Sequence, residues 1–290
     1  MGGTKYSISK KIHTMSKIAL VGAGGKMGCR LTDNFLKCPQ YLLDYLEISE
    51  QGIQNLKERN LIAGDTEKAI QDADVVILAV PDVSIGKVSD DVIPKMKTGA
   101  LVLILDAAAP FDGIIHHRDD LGYVIAHPCH PGIFNWEPTE DAFRDFYGGI
   151  SAKQSIVVAL MHGKEEHYQL GAKVSEDMYG PIKKVHRVTL EQLAMLEPAM
   201  VETLAQTAME VIKEGYDEIV KRGVPREAAH DFVLGHLRIQ IAVLFKETNG
   251  TFSDAAYKIS KRAKPIIFKE GWKRIFELDD IRQQVKDIVK

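Results

Sequence analysis

Two histidines and a cysteine stand within four residues in the segment His127-Pro128-Cys129-His130-Pro131-Gly132. Imidazole can take the proton from a hydroxyl that is being oxidised, or it can ligate a metal. Pro128 and Pro131 restrict the backbone on either side and would hold the two rings in place. The H-x-x-H spacing alone is a poor metal signature, because a catalytic zinc needs about three protein ligands. Glu197 is a candidate for a further one. It lies in register with Leu193 and Val201 on the apolar face of a helical segment, where a carboxylate needs a partner. A salt bridge to a lysine or arginine would serve that need equally well. Cys129 has no acyl-transfer constellation around it and reads as a buried thiol rather than a nucleophile.

A second constellation lies near the amino end, in Ile18-Ala19-Leu20-Val21-Gly22-Ala23-Gly24-Gly25-Lys26-Met27-Gly28. An apolar run meets glycines at a spacing of three, and a helical pattern follows. Strand, tight turn and helix start in that order bring backbone N–H groups and a positive dipole end to a pyrophosphate. Residues Gly22 to Gly28 are therefore the candidate dinucleotide-binding turn. A plain βα turn without a ligand is the alternative. Glu47 follows the second strand and would accept hydrogen bonds from adenosine ribose hydroxyls while repelling a 2′-phosphate, which favours NAD over NADP. Ser49 nearby keeps NADP open. Pro81 and Asp82, after the strand Val75–Val80, are further cofactor-side candidates. Asp106 follows Leu101–Leu105 and reads as a small-residue opening for a nicotinamide or as a capping acid.

These groups need a scaffold, and the first half supplies an α/β one. Short β-rich runs at Ile18–Val21, Leu43–Ile48, Val75–Val80, Leu101–Leu105 and Tyr123–Ala126 alternate with helical segments at Lys26–Lys37, Glu50–Glu58, Thr66–Gln71 and Val83–Ile93. A weaker strand signal lies around 61–63. Runs with little alternation suit a doubly wound parallel sheet covered on both faces. Ligands of such sheets sit beyond the carboxyl ends of the strands. Ser155–His162 reads as one more strand, and from Glu165 onward helical periodicity dominates. Pro198 is expected to kink a long amphipathic helix or to begin it anew. Gly223 ends it, Pro225 opens the next, and helical groups at Ser253–Trp272 and Leu278–Val289 follow. The expected division is an extension at 1–14, a dinucleotide-binding domain at 15–150 and a mainly helical substrate and dimerisation domain at 151–290. His186 and Arg187 precede the long helix and are placed either to meet a substrate carboxylate or to lie on the surface. His116, His117, His162 and His167 read as surface or capping residues, and His230 and His236 as packing or interface ones.

Composition narrows the classes. The chain has 290 residues, 45% hydrophobic and 27% charged, with a net charge of −3. That balance gives no general attraction to nucleic acid or membrane, and no apolar run approaches the ~20 residues of a membrane span. The three cysteines, Cys29, Cys38 and Cys129, form no disulfide framework, which points to a reducing cytoplasm. Residues 1–14 are polar and basic without the apolar centre of a secretory signal, and Met15 is a candidate start. The long apolar helix suggests a homodimer interface, or an ordinary core helix.

The segments VGAGGKMG, ADVVILAVPD, LVLILDAAAP, AHPCHPGIFN and HRVTLEQLAMLEP together resemble the D-apionate oxidoisomerase family, a relative of the 6-phosphogluconate and β-hydroxyacid dehydrogenases. The resemblance runs from residue 16 to about 280. It implies an N-terminal Rossmann domain followed by a mostly α-helical C-terminal domain, and an NAD-dependent oxidoreductase acting on a CH–OH group of a branched sugar acid. It further implies oxidation of a 2-hydroxyl followed by hydroxymethyl migration to 3-oxo-isoapionate. On this resemblance His130 and Glu197 bind a divalent metal such as Zn or Mg. His127 orients the loop or acts as base, and Gly22–Gly28 with Glu47 hold NAD. The lysine–asparagine pair of many hydroxyacid dehydrogenases is not evident, and Lys183 or Lys184 is a weak substitute. Two other readings stay open: an NAD(P)-dependent hydroxyacid dehydrogenase without rearrangement, and an NAD-sensing protein that turns nothing over.

Overall fold

A computed structural model describes residues 15–290; the extension at 1–14 lies outside the described residues. The chain forms two compact units, one of them Asp106 and the residues before it, Ile115–Pro131 and Glu137–Arg187, the other Ala107–Ile114, Gly132–Trp136 and Val188–Lys290.

The first unit is built on a seven-stranded sheet: β1 (Ser16–Val21), β2 (Tyr41–Leu46), β3 (Val75–Leu78), β4 (Leu101–Ile104), β5 (Gly122–Pro128), β6 (Gln154–His162) and β7 (Ile182–Val188), in the order β2-β1-β3-β4-β5-β6-β7. Strands β1 to β5 pair in parallel, with Ile18 opposite Val75, Val75 opposite Leu101 and Leu101 opposite Gly122. β6 runs antiparallel to β5, and the register shifts between Tyr123 and Val124. All residues of β3 and β4 are buried, the burial expected of strands covered on both faces. The cover comes from α1 (Lys26–Phe35), α2 (Glu50–Lys57), α3 (Thr66–Asp72) and α4 (Asp82–Val92), with α7 (Glu165–Tyr179) against β5 and β6. Two shorter helices, α5 (Ala108–Asp112) and α6 (Glu140–Arg144), complete the first part of the chain. Buried Asn34 on α1 donates to the Met178 carbonyl at the end of α7, 3.0 Å away. Tyr179 Oη donates to the Ala126 carbonyl at 3.1 Å. These bonds satisfy polar groups that burial would otherwise penalise.

Three expectations change here. The weak strand signal at 61–63 is extended loop, its one ladder-like bond running from Gly64 N to the Tyr45 carbonyl. The sheet unit also runs past residue 150 to Arg187, because β6, α7 and β7 extend the same sheet. β7, Ile182-Lys183-Lys184-Val185-His186-Arg187-Val188, is a strand where helical periodicity was expected. Its charged residues are exposed and its apolar residues half-buried at an edge, so the run carries too few apolar residues to announce a strand.

The second unit is helical. α8 (Leu190–Ala194) runs into a π-helical stretch at Met195–Gln206 that continues as α9 (Thr207–Lys221). Pro198 sits in the π segment, where the wider turn accommodates a residue that has no N–H to donate. Gly223 at φ +101° closes the run. α10 (Arg226–Leu244), α11 (Asp254–Ile267) and α12 (Leu278–Ile288) follow, and Ala108, Ala194, Ala199, Ile281 and Val285 form a small core.

Among the described residues no helix is long and apolar enough to cross a membrane.

Among the glycines of the sheet unit, the tightest backbone approach is between the β1 turn and α1. A Cβ added at Gly28 would fall on the Gly22 carbonyl oxygen and the Ala23 backbone. Gly28→Ala should therefore lower stability by about 1–3 kcal/mol through overpacking. Urea unfolding followed by circular dichroism tests this, and an unchanged midpoint would count against so tight an approach.

Candidate active site

The turn after β1 spends its own N–H groups on holding its shape, which leaves those of the first turn of α1 for a ligand. Gly22 and Ala23 N–H groups donate to the Leu46 carbonyl at 2.8 and 3.1 Å, which ties the turn to the end of β2. Gly22 adopts φ +79°, a left-handed conformation that glycine accepts without strain. The Ala23 carbonyl takes the Thr32 hydroxyl at 3.2 Å, and the Gly24 carbonyl takes the Asn55 amide at 2.8 Å. Gly25 is the N-cap of α1. No side chain caps the helix, and its first turn, Lys26-Met27-Gly28, contains no acid. Free N–H groups and the positive dipole end are thus left for an anion.

Glu47 sits just past β2. Its Oε2 accepts the Gly24 N–H at 3.0 Å, while Oε1 accepts from the Ile48 and Ser49 N–H groups, both at 2.9 Å, and from the Ser49 hydroxyl at 3.0 Å. Oε1 is therefore saturated. Oε2 has one of these four donors and keeps acceptor capacity for a hydroxyl. The sequence placed Glu47 as a ribose acceptor; the structure adds that it clamps the glycine turn itself.

The strand order β2-β1-β3 places the topological switch between β1 and β3, the position where open α/β sheets bind ligands. Asp82 and Asp106 stand beyond the carboxyl ends of β3 and β4, and His127 is the next-to-last residue of β5. Asp82, next to Pro81 at the start of α4, has its carboxyl pushed above the usual range, chiefly by burial and then by the negative charge of Asp106, with His127 pulling the other way. A carboxylate oxygen of Asp106 and a ring nitrogen of His127 lie within 4.8 Å of each other. His127 Nδ1 is 2.9 Å from the Leu105 carbonyl. A carbonyl only accepts, so Nδ1 carries the proton and Nε2 carries the lone pair, the tautomer suited to a base or a metal ligand. Of the two sequence readings of Asp106, position favours the one that puts it in the site.

His130 lies beside His127, ring centroids 6.4 Å apart and nearly perpendicular. It is exposed and adopts φ +58°, a left-handed conformation uncommon outside glycine. Its Nδ1 donates to the Tyr147 carbonyl at 2.9 Å, again leaving Nε2 as the acceptor nitrogen. The Arg30 guanidinium lies 4.3 Å over the Tyr147 ring, and Arg30, His130 and Tyr147 line one narrow cavity. Sequence reasoning missed Arg30 and Tyr147. Arg30 lies two residues after Gly28, on the helix that starts at the turn, but nothing in the local pattern announces Tyr147.

Other expectations resolve differently. Cys129, expected to be buried, is exposed because it follows the last paired residues of β5; desolvation around its sulfur nevertheless pushes the thiol up, away from nucleophilic use. Arg187 makes a bidentate pair with Glu165, both contacts 2.8 Å, and stacks 3.9 Å over Tyr168. Its fork is thus occupied within the sheet unit rather than presented to a substrate carboxylate. His167 caps α7 by accepting the Lys164 N–H at 3.0 Å, as expected. Glu197 belongs to the helical unit, half-buried on the π segment next to buried Pro198 and Ala199.

Comparison with known proteins matches residues 135–289 to the family model described as phosphogluconate dehydrogenase (decarboxylating), C-terminal. Residues 17–110 match the one described as NADP oxidoreductase, coenzyme F420-dependent. The chain is 48% identical to a D-apionate oxidoisomerase from Cupriavidus necator, over 94% of this chain and 99% of that one. It is 46% identical to a D-apionate oxidoisomerase from Rhizobium rhizogenes, over 94% of this chain and 100% of that one. It is also similar to the crystal structure of a semialdehyde dehydrogenase NAD-binding protein from Cupriavidus necator in complex with calcium and NAD. That match has a TM-score of 0.93 and 47% identity, and it covers 95% of this chain and 100% of that one.

Proposed function

The chain belongs to the D-apionate oxidoisomerase family, and from that premise we propose that it oxidises the 2-hydroxyl of a branched sugar acid, D-apionate, with NAD and then rearranges the product to 3-oxo-isoapionate. The observation that carries the chemistry is the approach within 4.8 Å of an Asp106 carboxylate oxygen and a ring nitrogen of His127, whose Nε2 bears the lone pair.

In the first step His127 Nε2 takes the hydroxyl proton as hydride leaves C2, giving a 2-keto acid beside a tertiary hydroxyl. In the second, that tertiary hydroxyl loses its proton and the hydroxymethyl group migrates. Its bond to C3 breaks, a bond to C2 forms, C3 becomes the ketone and the C2 oxygen is reprotonated. The imidazolium releases the first proton to solvent, and the regenerated imidazole takes the tertiary hydroxyl proton and returns it to the C2 oxygen. Bound NAD would supply the hydride acceptor, and a bound divalent metal would supply Lewis-acid polarisation of the keto group and of the neighbouring hydroxyl. The donors fit such a metal. His130, an imidazole oriented by the Tyr147 carbonyl, and Asp106, an acid whose charge already reaches Asp82, are a nitrogen and an oxygen donor of the kind such a metal takes. Asp106, His130 and Glu197 are proposed to hold it, and His127 Nε2 stays free as the base.

Incubation of D-apionate with the protein and NAD, followed by NMR of the product, tests this reading. A rearranged 3-oxo acid is expected, and a plain 2-keto acid would leave the dehydrogenase without rearrangement. No NADH from any aldonate would favour the NAD sensor. His127→Ala should lower kcat by at least ~100-fold, and chelation should remove product formation while leaving NAD affinity in place.

The cofactor preference rests on Glu47. Its Oε2 would accept from a ribose hydroxyl and its charge would repel a 2′-phosphate. Glu47→Ser should lower the ratio of kcat/KM for NAD to that for NADP by about tenfold, or ~1.4 kcal/mol. An unchanged ratio would remove Glu47 from the ribose site.

The protein is proposed to work as a homodimer. α9 and α11 bury no residue at all, and Phe232, Leu234, Ile239, Ile259 and Ile266 are exposed. Apolar faces of this extent on a helical unit mark an interface, and a second copy offers the same faces. Light scattering should give twice the chain mass; a monomer at micromolar concentration would refute it.

A further inference from the structure

At the opposite end of β5 from His127, about four residues or ~13 Å along the strand, lies a second group that the reaction does not use. His117, Asp119 and His162 each bring a ligand atom within 4.8 Å of the others. We propose that these three residues form a separate surface site for a zinc-class transition metal.

The group is assembled from two segments. His117 and Asp119 come from the loop that leads into β5, and His162 ends β6, where it pairs with Tyr123 of β5. His117 Nε2 is 2.9 Å from Asp119 Oδ1, and the His117 and His162 rings are 4.8 Å apart at 80°. The loop is held in place before any metal arrives. Tyr123 is fully buried, its hydroxyl accepts the Arg118 N–H at 2.8 Å and donates to the His116 carbonyl at 3.0 Å, and its ring stacks on His117 at 5.4 Å. Arg118 turns to Asp120 and to the carbonyls of Ile93 and Met96, so the cation next to Asp119 in sequence is engaged elsewhere.

The donor chemistry sets the metal. Two imidazoles and one carboxylate with a solvent position suit zinc, nickel or copper and do not suit calcium or magnesium, which take oxygen ligands. Around a tetrahedral ion with bonds of ~2.0–2.1 Å, donor atoms sit about 3.3 Å apart. The present group, within 4.8 Å throughout, is at most about 1.5 Å wider than that, and the Asp119 side chain, 94% exposed, has room to adjust. A bound ion would join the start of β5 to the end of β6.

The test uses the full chain dialysed against zinc chloride, with zinc counted per chain and thermal midpoints read with and without zinc. His162→Gln and Asp119→Ala should each bind about one zinc fewer per chain than the unaltered protein, or bind it at least tenfold more weakly, and lose the corresponding rise in midpoint. Excess calcium or magnesium should not displace that zinc. Without added zinc, both variants should keep NADH formation and the zinc-free midpoint. Equal zinc uptake and affinity in either variant would overturn the site. Because the readout is zinc at residues outside the reaction, the result is independent of whether the proposed rearrangement occurs.

Discussion

The sheet unit depends on one close approach, the contact of the β1 turn with the first turn of α1. Gly22 and Gly28 meet backbone to backbone, with no room for a Cβ at Gly28. Because the helix starts so near the strand, the uncapped first turn stands directly over the carboxyl end of β1. The Glu47 carboxylate then links this turn to the end of β2 through the Gly24 N–H. One acid thus does structural work at the turn and is the residue proposed to select the cofactor. Both roles fall to Oε2, because Oε1 is taken up by the Ile48 and Ser49 donors.

The parallel register carries the consequence across the sheet. Strands β3, β4 and β5 end side by side, so residues far apart in the chain, Asp82, Asp106 and His127, gather at one edge. Two acids held close in a partly dry environment favour a protonated partner or a bound cation. The rise at Asp82 is the electrostatic mark of that crowding. His127 completes the group with its proton fixed on Nδ1 by the Leu105 carbonyl. His130 is fixed in the same way by Tyr147, at the expense of a left-handed backbone.

Much of this was legible in the sequence. The strands β1 to β6, the helices α1 to α4, the glycine turn and the acid after β2 announce themselves through local patterns, as do the helix ends at Gly223 and Pro225, whereas the short helices α5 and α6 do not. Other features were not legible because their cause is not local. β7 has an exposed, charged face and reads as helix or loop until an existing sheet edge accepts it. Arg187 looks like a free anion-binding fork until α7 brings Glu165 and Tyr168 to it. His117 and His162 look like unrelated surface histidines until β5 and β6 pair.

The sequence by itself determined which residue types were available and what each short segment would do. Backbone sterics, hydrophobic period and capping act over a few residues, so they can be read in chain order. Only the tertiary structure decided which side chains meet. Strand order and register bring distant residues together, and those contacts decide that Asp106 faces His127, that Tyr147 holds His130 and that Tyr123 supports a second histidine cluster.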